Sequence, residues 1–187
     1  MDFQELLKKR RSIRDFRNEE IPLPVVQDIL RDTCLAPTAG NGQPCRFILV
    51  RDRDLMKRLS DDSKNSLLAD LAGHPDSPLK KYETLLKDEA FNVFYNAPCL
   101  VIIIGPRGIH SLEVDCALTA AYFMFSAVSR GLGTCWIALG AHIRHRGLLA
   151  EIGMPENCRI VAPIILGYPA DIPEASERHV PDIVKIA

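Results

Sequence analysis

The sequence lacks a basic excess: Lys and Arg number 23 against 24 Asp and Glu, for a formal net charge of −1. A nucleic-acid binder carries a basic face or a repeated aromatic and basic surface, so no nucleic-acid partner is expected. The chain also lacks an apolar helical run of the roughly 20 residues that a bilayer span needs. Its most apolar helical stretch, Ala117 to Val128, is shorter and reads as a buried helix. The opening "MDFQELLKKRRS" sets acids before bases with no apolar stretch behind them, unlike a secretory signal. A cytoplasmic location is expected.

No CxxC or Cys/His cluster is present. The six cysteines, at 34, 45, 99, 116, 135 and 158, stand at least eleven positions apart in apolar contexts such as "APCLVIII" and "GTCWIAL". Such cysteines read as buried free thiols rather than metal ligands, disulfides or a thiol sensor. His142 and His145 are three apart on an expected helix and could offer a metal face. No further ligand accompanies them, so capping or solvated roles, and no metal, are expected. A serine elbow, a phosphate loop and a Cys/His nucleophile are also missing. Gly131 and Gly133 follow a helix, the reverse of the order in a dinucleotide fingerprint.

What is present suits one domain over residues 1–187, with 47% apolar residues to form its core. Asp2 can cap a helix from Phe3 to about Arg10, and Pro24 can open a second through about Cys34. "CRFILVRD" reads as a strand, Arg53 to Leu68 as a helix, Ala69 to about Lys81 as a loop, with a further helical segment to about Asn92. "APCLVIIIG" is apolar throughout and suits a central strand. A helix from about Ser111 to Arg130, a strand "TCWIAL", a short helix "IRHRGLLAEIG" and a last strand "RIVAPIILGYP" complete the series. Strands and helices alternate without a break or repeat, as in an α/β-type sheet domain. The long helix is apolar on nearly every side between Asp115 and Val128, which suits either a central helix or a symmetric dimer contact.

Four stretches could carry chemistry. In "RRSIRDF", an extended backbone would set Arg10, Ser12 and Arg14 on one side as an anion-binding row, since guanidinium forks and a hydroxyl suit a phosphate. The alternative is that basic residues here complement a helix C-terminus. "APTAGNGQPCRF" joins two amides, Asn41 and Gln43, to backbone that Gly and Pro open to close approach. Amides both donate and accept, matching a ring edge of carbonyl and N–H groups. "GLGTCWIALGA" ends a strand at Leu139, Gly140 and Ala141, where sheet proteins often meet ligands. The tail carries Arg178 and His179 after "LGYP".

In order and spacing these stretches resemble the FMN-dependent nitroreductase family. The resemblance implies an α+β fold, with a nitroreductase-like mixed β-sheet flanked by helices, and a helix-mediated homodimer with FMN at the interface. It implies that Arg10 and Ser12 hold the phosphate and ribityl chain, that Arg11 is a neighbour, and that Arg178 and His179 close over the phosphate. Arg14 would sit beside flavin N1 and the C2 carbonyl. Pro37, Thr38, Ala39, Asn41 and Gln43 would line the ring from the partner subunit, and Leu139 and Gly140 would present backbone to the N5 and O4 edge. Cys45 stands where many relatives place an aromatic residue. The implied activity is ping-pong transfer of hydride from NAD(P)H through FMN to a small acceptor such as a nitroaromatic or quinone, with no catalytic side chain beyond the flavin. Alternatives are a specialised relative such as a reductive dehalogenase, and a flavin-storing protein with little turnover.

Overall fold

The computed structural model describes residues 2–74 and 76–187. Helix α1, Phe3–Lys9, starts at a capping box in which the Asp2 carboxylate accepts the Glu5 N–H at 2.8 Å. Helix α2, Leu23–Thr33, has Pro24 in its first turn, where a missing N–H costs nothing, and buries Val26 and Ile29. Strand β1, Arg46–Val50, leads into α3, Arg53–Gly73, which Asp52 caps. A 3₁₀ turn at Pro78–Tyr82 and the short α4, Glu83–Lys87, follow. Next come β2, Cys99–Pro106, then α5, Leu112–Ser129, and β3, Gly133–Trp136. The series ends with α6, Arg146–Glu151, and β4, Cys158–Gly167.

The four strands lie in the order β1-β2-β4-β3, and every neighbouring pair is antiparallel. Side chains alternate across β2. Cys99, Val101 and Ile103 face one layer with α2 and α5, where Val26, Ile29 and Phe123 complete the packing. Leu100, Ile102 and Ile104 face the other, with Met56 and Leu59 of α3, Phe94 and Leu148 of α6. A register shift between Ile103 and Ile104 skips Val161 on β4. It moves Ile160 to the face opposite Ala162 and Ile164.

Alternating strands and helices suggest α/β, but alternation does not set strand direction; the pairing makes the fold α+β. The mixed character expected of the sheet is confined, among the described residues, to one parallel bridge between Ser12 and Thr134. Helix α3 runs five residues past Leu68, because Leu67 and Leu71 pack against Leu86 of α4. The helical segment expected to reach Asn92 ends at Lys87. Strand β3 stops at Trp136, where the chain turns into a 3₁₀ segment at Ala138–Ala141. His142 and His145 share no helix: His142 follows that turn, and the His145 imidazole caps α6 by accepting the Leu148 N–H.

Helix α5, 18 residues with a mean hydropathy of 1.3, is long and apolar enough by composition to cross a membrane, longer than the stretch the sequence marks. Here it packs one face into the core through Cys116, Ala120, Phe123 and Ala127. Val114, Leu118 and Tyr122 stay exposed on the other. The cysteines also differ from expectation. Four are buried, but Cys34 is exposed at the end of α2 and Cys45 is half-buried.

Residues 10–16 are held to the sheet by Ile13. Its N–H bonds the Thr134 carbonyl at 2.9 Å, and its side chain sits over Gly133. A Cβ at Gly133 would lie 2.6, 2.8 and 2.9 Å from Ile13 Cγ1, Cβ and Cγ2. Gly133→Ala is therefore expected to lower stability by about 1–3 kcal/mol, read as a drop in the urea midpoint at unchanged slope. Gly73→Ala, with open space at its Cβ, should leave the midpoint unchanged or raise it.

Candidate functional site

The extended geometry expected of "RRSIRDF" is observed. Ser12 bridges Thr134 and Ile13 is buried, so Arg10, Ser12 and Arg14 emerge together on the opposite side. With Arg178 they line a cavity of about 650 Å³ between α1 and the tail. Glu174 is the acid in that wall, and none of the three arginines forms an ion pair among the described residues. The chain thus brings cations from both of its ends to one place. His179 does not line the cavity, although it neighbours Arg178.

Arg11 lines the same cavity but also serves the helix end. Its guanidinium donates to the carbonyls of Lys8 at 2.5 Å and Arg10 at 2.8 Å. These are orphan acceptors at the end of α1, so the helix-end alternative applies to Arg11. Arg14 lies 5.8 Å from the ring centre of Tyr95, whose own φ is +52°. A cation over an aromatic face limits the wandering of an otherwise exposed arginine. Tyr95 went unseen in the sequence because its left-handed backbone carries no compositional mark.

The loop of residues 36–45 forms a separate wall. Gly40, Asn41 and Gln43 take φ of +55°, +54° and +45°, conformations that non-glycine residues rarely adopt. The turn closes through Asn41 N–H to Thr38 carbonyl at 3.0 Å and Gln43 N–H to Thr38 Oγ1 at 3.1 Å. The Gln43 amide donates to Asn41 Oδ1 at 3.2 Å, which leaves Pro37, Ala39 and the two amides exposed. None of these residues lines the arginine cavity within one chain.

Asp115 holds this loop, whereas the sequence marks it only as the first residue of the apolar stretch of the long helix. Buried in the first turn of α5, its carboxylate accepts the Ala39 N–H at 2.8 Å and the Ser111 hydroxyl at 2.8 Å. A helix N-terminus favours an anion there. Its signal was an acid inside an otherwise apolar helix. Leu139 and Gly140 are fixed from elsewhere: Ser63 of α3 donates to the Leu139 carbonyl at 2.5 Å, and the Gly140 N–H bonds the Ile137 carbonyl at 3.0 Å. Phe94 packs so closely on Gly140 that a Cβ would lie 2.5 Å from its ring. Lys64, buried on α3, donates to the carbonyls of Asp88 at 2.6 Å and Phe91 at 2.8 Å, which gives residues 61–92 an internal tie.

The structure is thus an α+β sheet covered by helices, with a cationic cavity at one end and a strained amide loop. A model of the Nitroreductase family matches residues 7–168, and the chain belongs to that family of oxidoreductases. A Methanothermobacter thermautotrophicus protein, provisionally named NADH dehydrogenase/NAD(P)H nitroreductase, is 26% identical over all of this chain and 87% of its own length. Human iodotyrosine deiodinase 1 is 28% identical over 90% of this chain, which spans 57% of that protein. Of solved structures, a Bacteroides fragilis nitroreductase with bound FMN superposes with a TM-score of 0.83 at 24% identity, covering 100% of this chain and 99% of that one. A Desulfitobacterium hafniense nitroreductase with bound FMN gives 0.75 at 27% identity, covering 98% and 96%.

Asp115→Ala should cost about 1–3 kcal/mol, since it strips acceptors from an N–H and a hydroxyl that are partly buried. Amide hydrogen exchange at residues 38–43 is expected to speed up more than at β2. Asp115→Asn keeps an acceptor for Ala39 and should restore most of the protection.

Proposed function

We propose that this protein is an FMN-dependent oxidoreductase that moves hydride from NAD(P)H to a nitroaromatic, quinone or similar acceptor by a ping-pong cycle, and that it works as a homodimer. The observation that carries this reading is the convergence of Arg10, Ser12, Arg14 and Arg178 on one cavity of about 650 Å³. Guanidinium forks take a phosphate with directional pairs of bonds, and a hydroxyl serves a neighbouring alcohol or phosphate oxygen. That donor set fits the phosphate and ribityl chain of FMN. The provisional name of the archaeal relative and the FMN of the D. hafniense relative support the same donor and cofactor.

FMN, when bound, supplies the two-electron chemistry between nicotinamide and acceptor. The residues of the chain do the rest. Arg10, Ser12 and Arg178 hold the anionic end. His179, next to Arg178 in the chain, stands outside the lining. Arg14 sets a fixed cation where a reduced flavin carries negative charge, and Tyr95 orients it. Pro37, Thr38, Ala39, Asn41 and Gln43 would meet the ring from a second copy, with Leu139 and Gly140 on the first.

A second copy also accounts for the exposed apolar surface. Val114, Leu118 and Tyr122 form a bare stripe on α5, and Phe3, edge-on to Phe125, extends it. The tail leaves Ile172, Val180, Ile183, Val184 and Ile186 uncovered. Patches of this kind mark protein interfaces. The relation to iodotyrosine deiodinase adds aryl halides to the acceptors worth screening.

The test is the visible spectrum of protein reconstituted with FMN, followed anaerobically on addition of NADH or NADPH. Bleaching, then recovery on adding acceptor, is the expected result. Bound FMN that stays oxidised would support the storage reading, and failure to retain FMN would overturn the site. Arg10→Ala should weaken FMN binding roughly 10- to 100-fold, as loss of a charged hydrogen-bond pair predicts. Arg14→Ala should retain FMN better than Arg10→Ala, yet slow bleaching by roughly 100-fold at most.

A further inference from the structure

Cys45 and Cys116 meet where the loop joins α5. Their sulfurs lie 3.4 Å apart although the residues are 71 positions apart in sequence. Cys45 is half-buried at the entry to β1, whereas Cys116 lies in the core. Beside them, the Thr119 hydroxyl bonds the Asp115 carbonyl at 2.8 Å and also lies 3.4 Å from Cys45 Sγ. This is the cysteine pair in contact among the described residues; Cys34 is exposed, and Cys99, Cys135 and Cys158 are buried apart from it.

We propose that Cys45 and Cys116 are an oxidisable dithiol that peroxide closes into an intrachain disulfide, covalently joining the 36–45 loop to α5. A disulfide needs its sulfurs at about 2.05 Å, so the pair must close by roughly 1.4 Å, within reach of small side-chain rotations. The two thiols are unequal. The hydrogen bond between the two sulfurs, together with the Thr119 hydroxyl, brings the Cys45 thiol down to about 7 against the opposing effects of burial and the Asp115 charge. The same bond and burial push Cys116 up. The thiol of the half-buried residue is thus the one with thiolate character, the feature that makes a cysteine reactive.

The chemistry balances with hydrogen peroxide as the oxidant. Cys45 thiolate attacks one peroxide oxygen, the O–O bond breaks, and the products are Cys45 sulfenic acid and hydroxide. Cys116 sulfur then attacks the Cys45 sulfur, forming the S–S bond and expelling the sulfenic oxygen as water once the Cys116 proton is counted. Two thiols lose two electrons, and one peroxide becomes two waters. A dithiol reductant such as dithiothreitol reverses the closure by thiol–disulfide exchange.

The test uses the full chain carrying Cys34→Ser, because Cys34 and Cys45 fall in the same tryptic peptide, residues 32–46, while Cys116 falls in residues 108–130. Protein is treated with excess hydrogen peroxide, quenched with catalase, denatured and titrated for thiols, then mapped by mass spectrometry without reductant. Of the six native cysteines five remain in this variant; the expected titre falls by two, with a 32–46/108–130 cross-linked peptide two hydrogens lighter than its parts. Dithiothreitol should remove that peptide. Adding Cys45→Ser or Cys116→Ser should abolish it, and Cys45→Ala and Cys116→Ala serve if a serine does not fold. Sulfinic acid at Cys45 with Cys116 still free, a cross-link between two chains, or an unchanged titre would each overturn the proposal. Because peroxide is added, this result is independent of whether the protein holds a flavin.

Discussion

The seating of Ile13 over Gly133 is the contact on which the cationic site depends. It is a tight fit of a branched side chain against a residue that has none, backed by the Ile13 N–H bond to Thr134. Burying Ile13 turns its neighbours on the chain outward, because extended backbone alternates its side chains. Arg10, Ser12 and Arg14 therefore share a direction through a constraint that lies on the other side of the segment. Neither arginine of the row has an acidic partner among the described residues, which leaves their charges free for an anion.

Helix α5 performs the matching task for the loop. Its inner face is ordinary core, with Phe123 and Ala127 against the sheet, and its outer face is a bare apolar stripe. Its first two turns differ in chemistry. Asp115, Cys116 and Thr119 give the loop a carboxylate for Ala39 and a sulfur and a hydroxyl for Cys45. The left-handed conformations of Asn41 and Gln43 cost free energy, and interactions of this kind offset the cost. The same helix thus holds the strained loop, fills the core and leaves an apolar face exposed. A change in α5 would be felt in all three.

Much of the secondary structure was legible because its signals are local. Asp2 and Pro24 mark helix starts through their own backbone chemistry, and the apolar run of β2 reads as a strand covered on both faces, as Leu100 to Ile103 are. Where sequence reading failed, the deciding contact was distant. Helix α3 continues through Gly73 because Leu71 meets Leu86, and β3 ends early because Pro163 accepts the Ile137 N–H but has no N–H to return, and Ser63 then holds the Leu139 carbonyl. The apolar context of each cysteine is local, and a pairing across 71 positions, such as that of Cys45 with Cys116, leaves no trace in spacing.

By itself, the sequence determined the inventory: an arginine row with a serine between, a Gly and Pro loop with two amides, a second cation in the tail, and enough apolar residues for one core. Ordered along the chain, that inventory was sufficient to indicate the family. Tertiary structure alone decided which of those groups meet. It put Arg178 beside Arg10, left His179 outside the cavity wall, buried Asp115 beneath Ala39 and set two sulfurs 3.4 Å apart. The reason is that residue types and periodicity are properties of neighbours along the chain. Convergence across 70 or 160 positions depends on how the sheet and helices pack, and a local pattern carries almost no information about that.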